Sequence, residues 1–477
     1  MLITIAVNAS GVVMSLFVRG MSLLALTVVL AGCEPTSFKL PDVEFKKPNL
    51  PKIEMPKIAA LDTSETDMSE RSLANLLKGS NAQVDLSKGF AAALRAAVST
   101  DPLVLEARQE AITLGAKLDT TTGLKDFQVS GDVYGGIEDV TDETAGIAIA
   151  LNAERLIYDG GRLDAKIAAD KYAAEAAAQE TRATMNERAL VLAQYWAELE
   201  RYDSLNALLE SRLRILDPMI EQLERVAAAG VGDLSRVTAA ERTVSMIRVT
   251  QTDIAERREQ ARVAFLNSFG ALPQYGSFDH KLISSRVPGS VSQELVNAAP
   301  GIQAAYASYL SAEAKLAEAK KRDGFALNFR ARAQRPFGGS EKGSDETIGL
   351  VLSKPIYRGN MLESEIKGAE AVVENSVARL QALHREGERT VRAAYQTITS
   401  MDKAIELARD SARVTRAEIK ALRQQLVIGG STLDSVLSAE ARLYDAEAKE
   451  INFLAERRSA ELVILSALGL LTDAVGL

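Results

Sequence analysis

Side chains able to do covalent, acid–base or metal chemistry are few in this chain. One cysteine, Cys33, and two histidines, His280 and His384, stand far apart among 477 residues. No nucleophile–base arrangement, phosphate-binding glycine loop or metal-ligand spacing is written in the sequence. The acidic pairs Asp142-Glu143 and Asp345-Glu346 fall in polar loop stretches, where they solubilise. His384 lies on an apolar seven-residue stripe, and its counterpart 199 residues earlier is Met185. Packing between helices is therefore expected of it rather than metal ligation, since no cysteine and only His280 remain to help. No catalysis, cofactor or metal is expected.

Cys33 has a specific setting. Arg19 precedes an apolar run, Leu23 to Leu30, which ends in Leu30-Ala31-Gly32-Cys33. A charged flank, an apolar stretch too short to span a bilayer and a small-residue cleavage site describe a signal peptide. The last four residues resemble the bacterial lipobox, in which the cysteine is lipidated and becomes the first mature residue. That resemblance implies residues 1–32 as signal peptide and Cys33 as lipid anchor. Glu34 follows where an Asp would be the usual inner-membrane retention signal, which favours the outer membrane. Met14 is the expected start, because the first 13 residues lack the basic flank such signals need.

The elements that follow suit long packed helices. Aromatics make up 5%, there is one Trp and only 12 Pro, and Ala-, Glu-, Arg- and Leu-rich stretches dominate. A net charge of −8 gives no reason to invoke nucleic acid. No segment after the signal reaches the ~18 consecutive apolar residues of a membrane-spanning helix. Residues 33–67, with Pro35, Pro41, Pro48, Pro51 and Pro56, read as an extended tether, free or strapped along the body. Helical pattern runs from Met68 to Gly123, broken near Asp101-Pro102. It resumes from Arg162 towards Gly230, from Asp233 to Gly270, from Ser292 past Pro300 to Arg322, from Met361 to Ile428, and from Thr432 to Leu470. In the stretch from Met361, Val377, His384, Val391, Ile398, Ile405, Ala412 and Ile419 fall seven apart, the signature of coiled-coil packing.

Two hairpins interrupt the helices, at 127–153 and 325–354. Phe325 to Gln334 alternates apolar and polar residues apart from Ala326, and Ile348, Leu350 and Leu352 share one face of the return strand. Each hairpin ends in Tyr-x-Gly, at Tyr158 and Tyr357, 199 residues apart. Gly230, Leu234, Val237, Ala240, Glu241 and Gly270 recur at the same offset as Gly429, Leu433, Val436, Ala439, Glu440 and Gly469. A duplicated helix–hairpin–helix–helix module results: a first repeat at 68–270, a linker at 271–290, a second repeat at 291–470 and a tail at 471–477.

Each strand run approaches the ~9–11 residues of a tilted outer-membrane strand. Four strands cannot close a barrel, and an open edge in lipid leaves backbone groups unpaired. Several copies must pool their strands. The helices, joined to the hairpins at the Tyr-x-Gly junctions, then continue the barrel.

Over residues 70 to 470 the sequence resembles the TolC / outer-membrane efflux protein family. The marks are Asp101-Pro102 followed by Ala107-Arg108, the two Tyr-x-Gly junctions, the turns from Gly230 to Glu241 and Gly429 to Glu440, and the repeat ends at Phe265 to Gly270 and Leu465 to Gly469. With the lipobox, the likeness is to the family's lipoprotein branch. It implies a mainly α protein with a small transmembrane β part: a homotrimer whose 12-stranded β-barrel is continued by a long periplasmic α-helical barrel. It also implies a periplasmic adaptor protein and an inner-membrane transporter as partners. The expected role is an exit duct for small molecules or drugs in the outer membrane of a Gram-negative bacterium, which the lipobox favours, with the outer component of type I protein secretion as the alternative. The rival from another class is a lipid-anchored periplasmic coiled-coil scaffold, against which the matched alternating hairpins count.

The family's tip corresponds to 230–241 and 429–440. Arg225 matches a basic position common there. Where an Asp often follows the Gly by six residues, Arg236 and Ser435 stand instead, so an acidic constriction is not carried over. Gly230 and Gly429 are expected to make helix-to-helix turns, with Leu234, Val237, Leu433 and Val436 either packing the turn or meeting the adaptor. Asn328, Arg330, Arg332 and Gln334 are expected to face the lumen if Phe325, Leu327 and Phe329 face lipid. They read either as a basic collar favouring anionic solutes or as merely hydrated positions.

Overall fold

The computed structural model describes residues 84–136, 146–228, 234–274, 278–337 and 345–477, all within the unit Leu76–Leu477. Cys33, the tether, Gly230 and the two hairpin loop tips lie outside the described residues. Helix α1, Phe90–Thr100, is followed at once by α2, Pro102–Gly123. The break between them is chemical. The Asp101 carboxylate accepts the Leu103 N–H at 3.0 Å, and Pro102 occupies the first turn, where its missing N–H costs nothing. The other Asp101 oxygen takes Arg188 at 2.7 Å, so the cap also ties α2 to the next long helix.

Strands β1, Gln128–Gly136, and β2, Gly146–Tyr158, lead into α3, Arg162–Ala228. Helix α4, Leu234–Phe269, returns. The linker expected at 271–290 holds a short helix, α5, His280–Arg286, capped by the Asp279 side chain. The second repeat begins with α6, Gln293–Asn297, and α7, Pro300–Lys320. The expected unbroken helix from Ser292 is thus two. Proline clashes with a helical residue before it, and Ala299 is extended at φ −59°, ψ 134°. Strands β3, Ala326–Phe337, and β4, Asp345–Ser353, precede α8, Met361–Val427, and α9, Leu433–Ala467. The stretch expected as a tail is instead largely helix α10, Leu470–Val475, whose Leu471 and Val475 are buried.

At about 1.5 Å per residue, the 67 residues of α3 and of α8 each extend about 100 Å. Neighbours form a row. Towards the sheet, α8 packs on α7, α7 on α3 and α3 on α2; away from it, α8 packs on α9, α9 on α3 and α3 on α4. The largest core lies where these meet α1 and α10. Trp196 of α3 is 2% exposed, with Phe90, Phe265 and Phe269 edge-on around it at 5.1–5.4 Å. Tyr395, at the repeat position of Trp196, donates its hydroxyl to the Pro288 carbonyl at 2.5 Å and is pushed above its usual pKa by burial. The heptad residues Val391, Ile405, Ala412 and Ile419 of α8 are buried as their period predicts.

Candidate functional site

The four strands make one antiparallel sheet in chain order, with β1 and β4 at its edges. Register sorts the side chains into two faces, because directly opposed residues share a face. On one face run the rows Val129–Ala153–Ala331–Ile348, Arg155–Phe329–Leu350 and Leu327–Leu352. On the other run Gln128–Glu154–Arg330–Gly349, Ser130–Asn152–Arg332–Thr347 and Asp132–Ala150–Gln334–Asp345. The apolar face is open, with Val133 71%, Ile348 76% and Leu350 65% exposed. Strand β2 is longer than the expected run to Ala153. It continues to Tyr158 through a register shift between Leu156 and Tyr158.

Asn328, Arg330, Arg332 and Gln334 all lie on the polar face, but they do not form a basic collar. Arg330 donates through Nε and Nη2 to Glu154 at 3.1 Å, and Asp132 accepts from Asn152 at 2.5 Å. Among the described strand residues of this face, Asp132, Glu154 and Asp345 stand against Arg330 and Arg332. The partners come from the first repeat, in register with the second, which is why β3 alone did not show them. The face is polar and of mixed sign.

Below the sheet, the Tyr-x-Gly junctions turn strand into helix. At the first, Asp159 is 7% exposed and accepts the N–H groups of Gly161 at 3.0 Å and Leu163 at 2.7 Å. Gly160 and Gly161 have φ of 70° and 77°, a region that disfavours other residues. Lys125 bonds Asp164 at 2.6 Å and, by that bond and its charge, holds the carboxyl below the usual range.

At the far end, α8 closes in a Schellman turn: Gly430 N–H reaches Gln425 O at 2.8 Å, and Gly429 N–H reaches Leu426 O at 3.3 Å. Gly429 sits at φ 78°, as its place in the turn requires, and Thr432 caps α9. Leu433 is half-buried, whereas Val436 is fully buried and so unavailable for contact with another protein. Leu234 and Val237 lie in the first turn of α4. The apolar residues the turn does present are Val427 and Ile428, 87% and 81% exposed, which the repeat pattern did not single out.

Just above this turn is an ion network that joins three helices. Glu440 of α9, 2% exposed, accepts from Arg212 of α3 at 3.2 Å and Arg423 of α8 at 2.6 Å. Glu447 accepts from Arg212 at 2.5 Å and Arg416 at 2.6 Å. The signal was available in the offset: Arg416 and Arg423 correspond to Asp217 and Glu224 in the first repeat, a reversal of sign at equivalent places.

His384 is half-buried in a groove with Ile302, Tyr306 and Leu380, while His280 bonds Glu200 at 2.7 Å. Among the described residues no group of three or more His, Cys, Asp or Glu is arranged to hold a metal ion, and no helix is long and apolar enough to cross a membrane.

Residues 291–470 match the family described as outer membrane efflux protein. Over 144 residues the chain is 28% identical to outer membrane protein TolC of Escherichia coli K12, a match covering 30% of this chain and 29% of that protein. TolC of Salmonella enteritidis is 29% identical over 126 residues, 26% of each chain. In fold, the chain is similar to the transmembrane-channel protein CusC, with a TM-score of 0.69 at 16% identity over 79% of this chain and 91% of that one. The outer membrane protein VceC of Vibrio cholerae superposes with a TM-score of 0.68 at 17% identity, over 79% and 95%. The open outer membrane channel MtrE of Neisseria gonorrhoeae gives 0.67 at 16% identity, over 80% and 88%.

Proposed function

We propose that the chain is a member of the outer membrane efflux protein family that its residues 291–470 match, and that it is the outer-membrane exit duct of a tripartite export system. The observation that carries this reading is the sheet: apolar on one face, polar on the other, and unpaired at both edges. Unpaired edges cannot stand in hydrocarbon, where each lost hydrogen bond costs several kcal/mol. The β4 edge of one copy must meet the β1 edge of the next. The helices repeat the logic, with α8 at one end of the row and α2 and α4 at the other. Such a head-to-tail contact closes into a ring, and three copies supply the twelve strands of a sealed barrel.

In that ring the polar face lines the lumen and the apolar face meets lipid. Cargo passes along a hydrated wall of mixed charge with no chemical step. The resting lumen is set by the helix ends remote from the sheet, where Val427 and Ile428 present an apolar surface suited to an adaptor. The adaptor and the energised inner-membrane transporter supply direction and force. Cys33 anchors the mature chain to the outer membrane, with the body extending into the periplasm.

Conductance of the purified protein in planar bilayers tests the duct. Discrete channel openings from a detergent-stable trimer are expected. A monomer in detergent, silent in bilayers and soluble in water once Cys33 is replaced, overturns it.

A further inference from the structure

The rim of the apolar face nearest the helices is built twice in the same way. Phe127 lies just before β1 and Phe325 just before β3, and each carries a cation over its ring. The Arg155 guanidinium is 5.1 Å from the Phe127 centroid, and Lys354 Nζ is 4.7 Å from that of Phe325. Arg155 and Lys354 are 199 residues apart, the offset of the duplication. Phe329 stands edge-on to Phe127 at 5.9 Å, opposite Arg155 in the register. Phe127, Arg155, Phe325 and Lys354 are open to the outside, the two rings being 53% and 49% exposed.

Among the described residues neither cation is paired with a carboxylate; Arg155 Nε donates to the Lys125 carbonyl at 3.2 Å. The opposite rim differs: there Arg335 and Glu346 share the apolar face, giving both signs. A cation stationed over an aromatic ring keeps its position and its charge while its partner site stays open. Ring and cation together match the two parts of a lipid at the interface, glycerol backbone and phosphate.

We propose that this rim is a binding site for anionic glycerophospholipid of the leaflet nearest the helices, with Arg155 and Lys354 holding the headgroup phosphate. The proposal rests on the reading that the apolar face meets membrane lipid. In the closed barrel each copy brings two such sites, so the anionic lipid forms an annulus that fixes the barrel's depth.

The test uses the full-length protein exchanged into micelles containing equimolar phosphatidylglycerol and phosphatidylethanolamine, with co-purifying lipid counted by mass spectrometry. Wild type is expected to enrich phosphatidylglycerol about fivefold, the effect of roughly one unscreened cation per site. Arg155→Gln with Lys354→Gln abolishes the enrichment. Arg155→Lys with Lys354→Arg keeps it, as does Arg335→Gln at the other rim. In 1 M salt, where screening acts within about 3 Å, wild type loses it too. Equal lipid ratios in wild type and bulk, persistence in the double Gln variant, or loss in Arg335→Gln overturns the proposal. Conductance is recorded in parallel: a channel without lipid preference sinks this site alone, whereas no channel at all sinks the duct.

Discussion

A Cβ on Gly469 would lie 2.2 Å from Cδ of Pro300 and 2.7 Å from its Cγ. The turn after α9 therefore presses directly on the first residue of α7, at a distance only glycine allows, and Gly469 also sits at φ 74°. Gly469→Ala should cost about 2–4 kcal/mol, from overpacking of about 1–3 and roughly 1 for the left-handed backbone. Gly429 has φ 78° with nothing within 4 Å of its added Cβ, so Gly429→Ala should cost only the backbone part. Denaturation midpoints of the two variants should separate accordingly, and equal shifts would contradict the contact.

Glu440 joins three helices through Arg212 and Arg423. Glu440→Ala leaves Arg212, whose side chain is 14% exposed, with Glu447 as its remaining partner. A loss of about 2–3 kcal/mol is expected, the scale of a charged hydrogen bond in a partly dry site. Proteolysis should then begin nearer the turn at Gly429. Arg413→Ala is the contrast: its pair with Asp410 is exposed on both sides, so it should lie within about 1 kcal/mol of wild type.

Faces of the sheet predict opposite tolerances. Leu350→Arg places a charge on the apolar face and should cost about 2–4 kcal/mol if the site is at mid-membrane depth. Gln334→Arg on the polar face should be nearly neutral. Yield of detergent-resistant oligomer reads both; a polar-face variant failing as badly as Leu350→Arg would reverse the assignment of lumen and lipid.

Val427 and Ile428 lie at the helix turn and are almost fully exposed. Replacing both with Asp should leave stability and single-channel conductance unchanged, because neither packs within the chain. Export in cells should fall at least about tenfold, equivalent to 1.4 kcal/mol of lost docking. Undiminished export would remove them from the proposed adaptor surface.

Burial, assisted by Asp445, pushes the Tyr444 phenol up to about 12. The unfolded phenol ionises near about 10, so the unfolded chain releases its proton first as pH rises. This part of the stability is whole below pH ~10 and lost towards about 12. Tyr444→Phe should flatten the decline of the unfolding midpoint over that window relative to wild type; parallel curves would refute the burial.

Much of this was legible in the sequence because the duplication tests itself. Alternation from Leu327 to Gln334 and the shared face of Ile348, Leu350 and Leu352 reappear in the register of β3 with β4. The seven-residue stripe of α8 is buried at Val391, Ile405 and Ala412. What stayed hidden depends on pairing across distance. Glu154 neutralises Arg330 from 176 positions away, and Arg212 reaches Glu440 across 228, beyond any local pattern. Leu470–Val475 was missed because Gly469 ends one helix and starts another in the same few atoms. At the tip, repeat symmetry drew notice to Val436, whereas exposure singles out Val427 and Ile428.

The raw strand borders at β1 and β4 also govern how the protein is made. On the proposed ring, a chain that has not yet met its neighbours carries two adhesive margins and a greasy panel through water, the conditions under which strands mispair and clump. Its manufacture is therefore a race between meeting its own kind and meeting anything else.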